Sequence, residues 1–141
     1  MIRTSLAAAS LALLMAMPAS AQQPTVHNGP CLQHGSDQLR CALRVAIVGQ
    51  YSQTTLLMTR GNGNITGIAQ AWLSECGVPG QAGVRTPVTN ERSAHTVSYT
   101  RAIGVALACQ EVFIFNCQEN GQPVPCSRGF GNATIRVELV Q

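Results

Sequence analysis

The residues of this chain with the clearest chemical role are six cysteines. They are Cys31, Cys41, Cys76, Cys109, Cys117 and Cys126. An even number of cysteines is typical of an exported protein held together by disulfide bonds, and six cysteines allow fifteen pairings. We prefer the pairing of sequence neighbours, Cys31–Cys41, Cys76–Cys109 and Cys117–Cys126, although the sequence does not exclude the other sets. A metal site is disfavoured, because the chain has no C-x-x-C pair and no histidine at zinc-ligand spacing from a cysteine.

Side chains for acid–base or nucleophilic catalysis are sparse. The chain has one aspartate and three histidines, Asp37, His27, His34 and His95. The run from His34 to Asp37 places triad-type residues side by side, whereas the members of a catalytic triad normally come from distant segments. Lysine is absent, which excludes Schiff-base chemistry. We therefore expect a protein that is not an enzyme and has no cofactor; a small hydrolase that uses His95 and a glutamate is the remaining catalytic alternative.

A short motif occurs twice in the chain. Residues 60–66 and 128–134 both read R-G-x-G-N-x-T. The motif could form a nest of backbone N–H groups that binds an anion beside Arg60 or Arg128. We favour the alternative that each copy is a turn leading into a strand, because an apolar stretch follows both copies.

Residues 1–21 have the pattern of a cleaved Sec-type signal peptide. A positive start at Arg3 is followed by an apolar run over 6–17, too short to span a bilayer, and by small residues that permit cleavage after Ala21. Gln22 at the new N-terminus disfavours a lipid anchor, which would need a cysteine there. We expect a periplasmic or secreted protein of a bacterial cell envelope, with no membrane span after cleavage of the signal.

Arginine carries all of the positive side-chain charge. Without Arg3, eight arginines oppose six acidic residues, which leaves a formal charge of +2. The arginines are spread along the chain, and no stretch combines basic with aromatic residues. A nucleic-acid partner is therefore not expected.

Alternating apolar and polar residues predict a mainly β protein. Strand patterns occur at 41–49, 53–60, 94–101, 109–117 and 133–140. A further segment, 66–76, is read as a strand but also fits a short helix. Short strands separated by turn residues predict a small disulfide-stabilised β-sandwich, immunoglobulin-like in architecture. We expect residues 22–40 to be an N-terminal lead pinned at Cys31, and residues 41–141 to form a single β-sandwich domain.

Three local features carry expectations of their own. Residues 77–92 contain three glycines and two prolines, which predicts a long loop. Trp72 is the only tryptophan, and we expect it to pack in the core against a disulfide. Glu111 stands among apolar neighbours, which indicates a bulge or a bend near Gln110 and Glu111.

The prediction of function starts from the apolar stretch over 103–126. Its strand leads into a turn-rich loop, 118–125, which a Cys117–Cys126 bond would close and hold rigid. We expect function at the ends of this strand, in a binding or assembly module that presents the disulfide-closed loop 118–125 to a protein or glycan partner. The alternative is a proteinaceous inhibitor of a secreted hydrolase, which would insert loop 118–125 or 77–92 into the active site of that enzyme. The candidate binding residues are Gln118, Glu119, Asn120, Gln122, Arg60 and Arg128.

Overall fold

The computed structural model describes residues 25–45, 51–59, 63–76, 81–100 and 108–140. The predicted signal peptide lies outside these ranges. Within them the chain forms nine strands and one short helix, which confirms the prediction of a mainly β protein. The strands are β1 (Thr25–His34), β2 (Gln38–Val45), β3 (Tyr51–Leu57), β4 (Ile65–Glu75), β5 (Gln81–Thr89), β6 (Ala94–Thr100), β7 (Ala108–Glu119), β8 (Gln122–Pro123) and β9 (Thr134–Val140). The helix, α1, is Cys126–Phe130.

One antiparallel sheet contains all of these strands. Its order is β5-β4-β7-β2-β1-β9-β3-β6, with β8 added to the end of β7. Strand β1 belongs to two half-sheets, because Thr25–Pro30 pairs with β9 whereas Cys31–His34 pairs with β2. The two half-sheets enclose a common core, so the sheet is sandwich-like and nearly closed.

The N-terminal segment was predicted to be a polar lead, but most of it is a strand of the sheet. Residues 25–34 form β1, which lies in the middle of the strand order and joins the two half-sheets. The segment lacks a run of alternating apolar residues because β1 changes partners near Gly29 and Pro30. A Cβ atom on Gly29 would lie 2.8 Å from the carbonyl oxygen of Ala42, so only glycine allows this close approach.

The core is built from aliphatic side chains. The largest fully buried residues include Leu39, Leu56, Ile114 and Ile135, together with one aromatic residue, Phe130. In β9 the predicted alternation holds, because Ile135 and Val137 are buried whereas Thr134, Arg136 and Glu138 are only partly buried. Burial of these side chains is the main source of stability in a domain of this size.

Two segments whose structure was not correctly predicted from the sequence form a pair of strands. The first was ambiguous between strand and helix, and the second was predicted to be a loop. Residues 65–75 are the strand β4, and the short helix lies instead at Cys126–Phe130. The predicted loop over 77–92 contains the strand β5, which pairs with β4 at one edge of the sheet. Gly83 and Pro87 suggested a loop, yet an edge strand tolerates both residue types because one side of its backbone needs no ladder partner.

The structure contains three disulfide bonds. They are Cys31–Cys41, Cys76–Cys109 and Cys117–Cys126, which is the pairing that we preferred from the sequence. The first joins directly opposed residues of β1 and β2. The second joins the end of β4 to the start of β7, and the third ties β7 to α1.

The bulge in β7 lies at a different place from the one predicted. Pairing with β2 and β4 is continuous through Gln110 and Glu111, so no bulge occurs there. The register shifts farther along, where Asn116 and Cys117 together oppose Gly67 of β4, and Asn116 adopts a φ of 54°. The shift turns Cys117 into the core instead of leaving it on the face that carries Phe113 and Phe115.

Candidate functional site

The disulfide-closed loop predicted as a binding surface is a polar hairpin. Gln118 and Glu119 end β7, Asn120 lies in the turn with a φ of 51°, and Gln122 begins β8. All are exposed except Glu119, which is half-buried. Arg60, the remaining candidate on the first copy of the repeated motif, lies outside the described residues.

Arg128 is occupied by an ion pair with the same hairpin. Its Nη2 atom lies 3.1 Å from Oε1 of Glu119, and the Glu119 carboxylate also lies against Gly63. The second copy of the motif therefore begins in α1 and leads into β9, and its arginine binds a carboxylate of this chain. This geometry favours the structural interpretation of the motif over an anion-binding nest.

A small cleft lies at the base of the hairpin. It has a volume of about 270 Å³ and is bounded by two hydrogen bonds, from Cys126 N–H to the carbonyl of Asp37 and from Val124 N–H to the carbonyl of Cys117. Its lining residues are Asp37, Gln38, Asn116, Cys117, Pro123, Val124 and Pro125. No described aromatic side chain lines it, so it lacks a large apolar anchor.

His95 is held as a structural residue. Its side chain is only 8% exposed, and Nε2 lies 3.0 Å from the carbonyl oxygen and 3.2 Å from the amide nitrogen of Thr89. Glu111, in turn, pairs with Arg40 on β7 and β2, far along the strand order from β6. No hydrogen bond or ion pair joins His95 to Glu111, so the two do not form an acid–base pair.

The half-sheet β5-β4-β7-β2 has an exposed side, which we call the outer face. Along β7 the buried side chains Val112 and Ile114 alternate with the half-buried Phe113 and Phe115. Side chains of a strand point alternately to the two sides of the sheet, so the second pair lies on the outer face. The outer face consists of Arg85 from β5, Ile68, Gln70 and Trp72 from β4, Glu111, Phe113 and Phe115 from β7, and Arg40 from β2.

Four of these residues form one straight row across four strands. Gln70 is paired with Arg85 on one side and with Phe113 on the other, and Phe113 is paired with Arg40. Adjacent strands lie ~4.8 Å apart, so the row spans roughly 14 Å from Arg85 to Arg40. An arginine therefore lies at each end of the row, and an amide group and an aromatic ring lie between the two arginines.

The rings and polar groups of the outer face are held in place by contacts with one another. The guanidinium carbon of Arg85 lies 5.2 Å from the ring centroid of Phe115, within the range of a cation–π contact. The exposed His34 ring meets Phe113 edge-on at 5.5 Å. Gln70 donates a hydrogen bond from Nε2 to the carbonyl of Gly83, 3.1 Å away. These contacts reduce the conformational freedom that a ligand would otherwise have to restrict.

Arg40 and Glu111 form a two-point ion pair on this face. Nε and Nη2 of Arg40 donate to Oε2 and Oε1 of Glu111 at 3.2 and 3.1 Å. The hydrogen bond and the negative charge of Glu111 raise the pKa of Arg40 above its ordinary value. Both side chains remain partly open to solvent, so the pair fixes their orientation more than it adds to stability.

The sequence did not predict the outer face, and the expectation that Trp72 packs in the core against a disulfide is wrong. Trp72 is half-buried and lies on the outer face, paired with Glu111 of β7. Both sides of β7 are rich in apolar residues, so alternation alone did not show which side faces solvent. The available signal was the polar residues of the neighbouring strands, Gln70 and Arg40, which fall in register with Phe113.

Among the described residues, no group of three or more His, Cys, Asp or Glu side chains is arranged to hold a metal ion. In the same part of the chain, no helix has the length and apolar character needed to cross a membrane. All six cysteines are in disulfides, a pattern typical of proteins that fold in an oxidising compartment.

The fold and its outer face define a small, disulfide-bonded all-β protein with a solvent-facing sheet surface. No protein-family model matches the chain, and no curated protein matches it. Among solved structures, it is similar to that of TmCBM61, described in complex with β-1,4-galactotriose, with 13% sequence identity and a TM-score of 0.40. The match covers 86% of this chain and 88% of that one. We draw no functional inference from a similarity of this size.

Proposed function

We propose that this protein is an exported, non-catalytic binding module that holds an extended glycan against its outer face. The observation that carries the proposal is the row Arg85, Gln70, Phe113 and Arg40, in register across four adjacent strands. A surface built in this way is open along its length, which suits a polymer better than a small molecule. Small-molecule sites are usually concave and enclosed.

The chemistry of the row matches that of a sugar ring. The C–H face of a pyranose is apolar and stacks on aromatic rings, and Phe113, Phe115 and Trp72 are half-buried on this face. The hydroxyl groups around the ring edge are donors and acceptors, which pair with amide and guanidinium groups such as those of Gln70 and Arg85. The outer face therefore carries both the aromatic and the polar groups that complement a sugar ring.

The disulfide-closed hairpin over 118–125 supports the proposal less well. Its exposed residues Gln118, Asn120 and Gln122 are polar and lack an aromatic neighbour among the described residues. Binding energy at protein interfaces is usually concentrated in aromatic and arginine residues. We retain inhibition of a secreted hydrolase as the alternative function of this hairpin, since the Cys117–Cys126 bond makes it a rigid loop.

A hydrolase that pairs His95 with Glu111 receives no support from the geometry. Nε2 of His95 is engaged by the backbone of Thr89, and Glu111 is engaged by Arg40. The two residues lie on different strands, and no hydrogen bond joins them.

Electrophoresis in native gels that contain single polysaccharides tests the proposal. We expect at least one neutral or acidic polysaccharide to slow the mature protein, and Phe113→Ala to abolish this retardation. A loop variant with Gln118→Ala and Gln122→Ala is the matched control and should be slowed like the wild type. If only the loop variant loses retardation, the glycan binds the hairpin and not the outer face. If no polysaccharide slows the wild-type protein, the proposal of glycan binding is refuted.

A further inference from the structure

The outer face carries an excess of positive charge. On the outward positions of β2, β7, β4 and β5 the described charged residues are three arginines, Arg40, Arg44 and Arg85, and one acid, Glu111. Glu111 is already paired with Arg40. On the other half-sheet, by contrast, Arg136 is balanced by Glu138 at 2.8 Å on the same strand.

Arg85 is the arginine of this face that is placed to meet a ligand. It is exposed, and no carboxylate of the described residues lies within ion-pair distance of it. Its guanidinium group rests over the Phe115 ring, which fixes the planar fork beside an aromatic surface. A guanidinium fork in this position is matched in geometry by a carboxylate, which accepts two parallel hydrogen bonds.

We propose that the polymer bound on the outer face is an acidic glycan, with uronic acid units whose carboxylates pair with Arg85. This inference rests on the proposed function, because it names the class of glycan for the same face. A uronic acid polymer combines apolar ring faces with carboxylates at the ring edges, and Phe113 and Arg85, which lie in the same row, are complementary to the two. Arg40 and Arg44 extend the positive surface toward β2 and favour an anionic chain over a neutral one.

An acidic polypeptide is the competing ligand for a positively charged face. The outer face favours a glycan because Trp72, Phe113 and Phe115 are half-buried on an open sheet surface, where the apolar face of a sugar ring can pack against aromatic side chains. A protein partner is usually anchored by large apolar side chains that fill pockets, and the cleft of about 270 Å³ lies at the hairpin and not on this face.

Polygalacturonan tests the inference, because one backbone can be prepared with free or methyl-esterified carboxyl groups. In calcium-free buffer at low salt, the mature protein should bind the de-esterified polymer, and Arg85→Gln should weaken binding about tenfold or more. The control Arg136→Gln removes the same charge from the other half-sheet and should bind within about twofold of the wild type. Glu111→Gln should increase affinity by roughly two- to fivefold, since it removes a negative charge and frees Arg40.

The outcomes separate the inference from the proposed function. Equal binding of the free and esterified polymers, or binding of a neutral polysaccharide alone, would overturn the acidic class and leave the glycan-binding function in place. Absence of binding to every polysaccharide would overturn both. If poly-glutamate binds as tightly as the de-esterified polymer, the face is a site for acidic polypeptides. If Arg85→Gln and Arg136→Gln lower the affinity for the polymer equally, Arg85 has no specific role in binding. An unchanged midpoint of urea unfolding in each variant shows that the comparison is between folded proteins.

Discussion

Gly67 and Cys117 lie so close across β4 and β7 that a Cβ atom on Gly67 would be 2.9 Å from the Cys117 sulfur. The bulge at Asn116 and Cys117 creates this contact, because two residues of β7 there oppose one residue of β4. At the same point the chain passes from the outer face, which ends at Phe115, to the hairpin closed by Cys117–Cys126. The absence of a side chain at Gly67 therefore allows these two surfaces to adjoin.

Substitution of Gly67 should destabilise the protein through this contact. We expect Gly67→Ala to lower the free energy of unfolding by about 1–3 kcal/mol, as in other overpacked sites. Urea denaturation measures the loss. In a background with Cys117→Ala and Cys126→Ala the sulfur is gone, so the cost of Gly67→Ala should fall by more than half. A cost that stays the same in both backgrounds would show that the sulfur is not the obstacle.

Two of the three disulfides, Cys76–Cys109 and Cys117–Cys126, should differ in what they contribute to stability. In the chain-entropy model, loss of Cys117–Cys126 costs roughly 3 kcal/mol and loss of Cys76–Cys109 nearly 4 kcal/mol, because the second closes a longer loop. Paired Cys→Ala variants and urea denaturation at pH 7 compare the two. The reverse order would indicate that packing around the half-cystines, rather than loop length, determines the contribution.

His95 should prove structural. We expect His95→Ala to lower the free energy of unfolding by about 1–3 kcal/mol, because the buried His95 side chain and its hydrogen bond to the Thr89 backbone are lost. Polysaccharide binding should be unaffected after correction for the folded fraction. A variant of wild-type stability, or one that loses a hydrolytic activity of the wild type, would contradict this assignment.

Trp72 should report binding directly, because it is the only tryptophan and lies on the outer face. A bound glycan removes water from this half-buried ring, so we expect a blue shift of its emission and protection from acrylamide quenching. The Arg85→Gln variant should show both effects only at higher ligand concentration. Retardation in a gel without any change in Trp72 emission would place the ligand elsewhere on the protein.

The sequence predicted those parts of the fold that depend on local patterns. Alternation of apolar and polar residues located β9, and sequence proximity of the cysteines indicated the disulfide pairing. Strand β5 was not predicted because Gly83 and Pro87 interrupt its pattern of residues. The strand tolerates both residues because it lies at the edge of the sheet, and its edge position is decided by the assembled sheet and not by the local sequence.

The outer face depends on register, which the sequence does not specify. Val112 and Ile114 are as apolar as Phe113 and Phe115, so alternation in β7 cannot tell its core side from its solvent side. The pairing of Phe113 with Gln70 and Arg40 joins residues from three separate strands, and only the assembled sheet places them in one row. For the same reason the sequence directed attention to the hairpin, whose polar residues are contiguous in the chain.

Mapping of backbone amide shifts by NMR, during titration with de-esterified oligogalacturonate, tests the central claim most directly. The account predicts that the largest shifts belong to Gln70, Trp72, Arg85, Phe113 and Phe115, with small changes over 118–125. Shifts concentrated in 118–125, or a spectrum that does not change at saturating ligand, would contradict it.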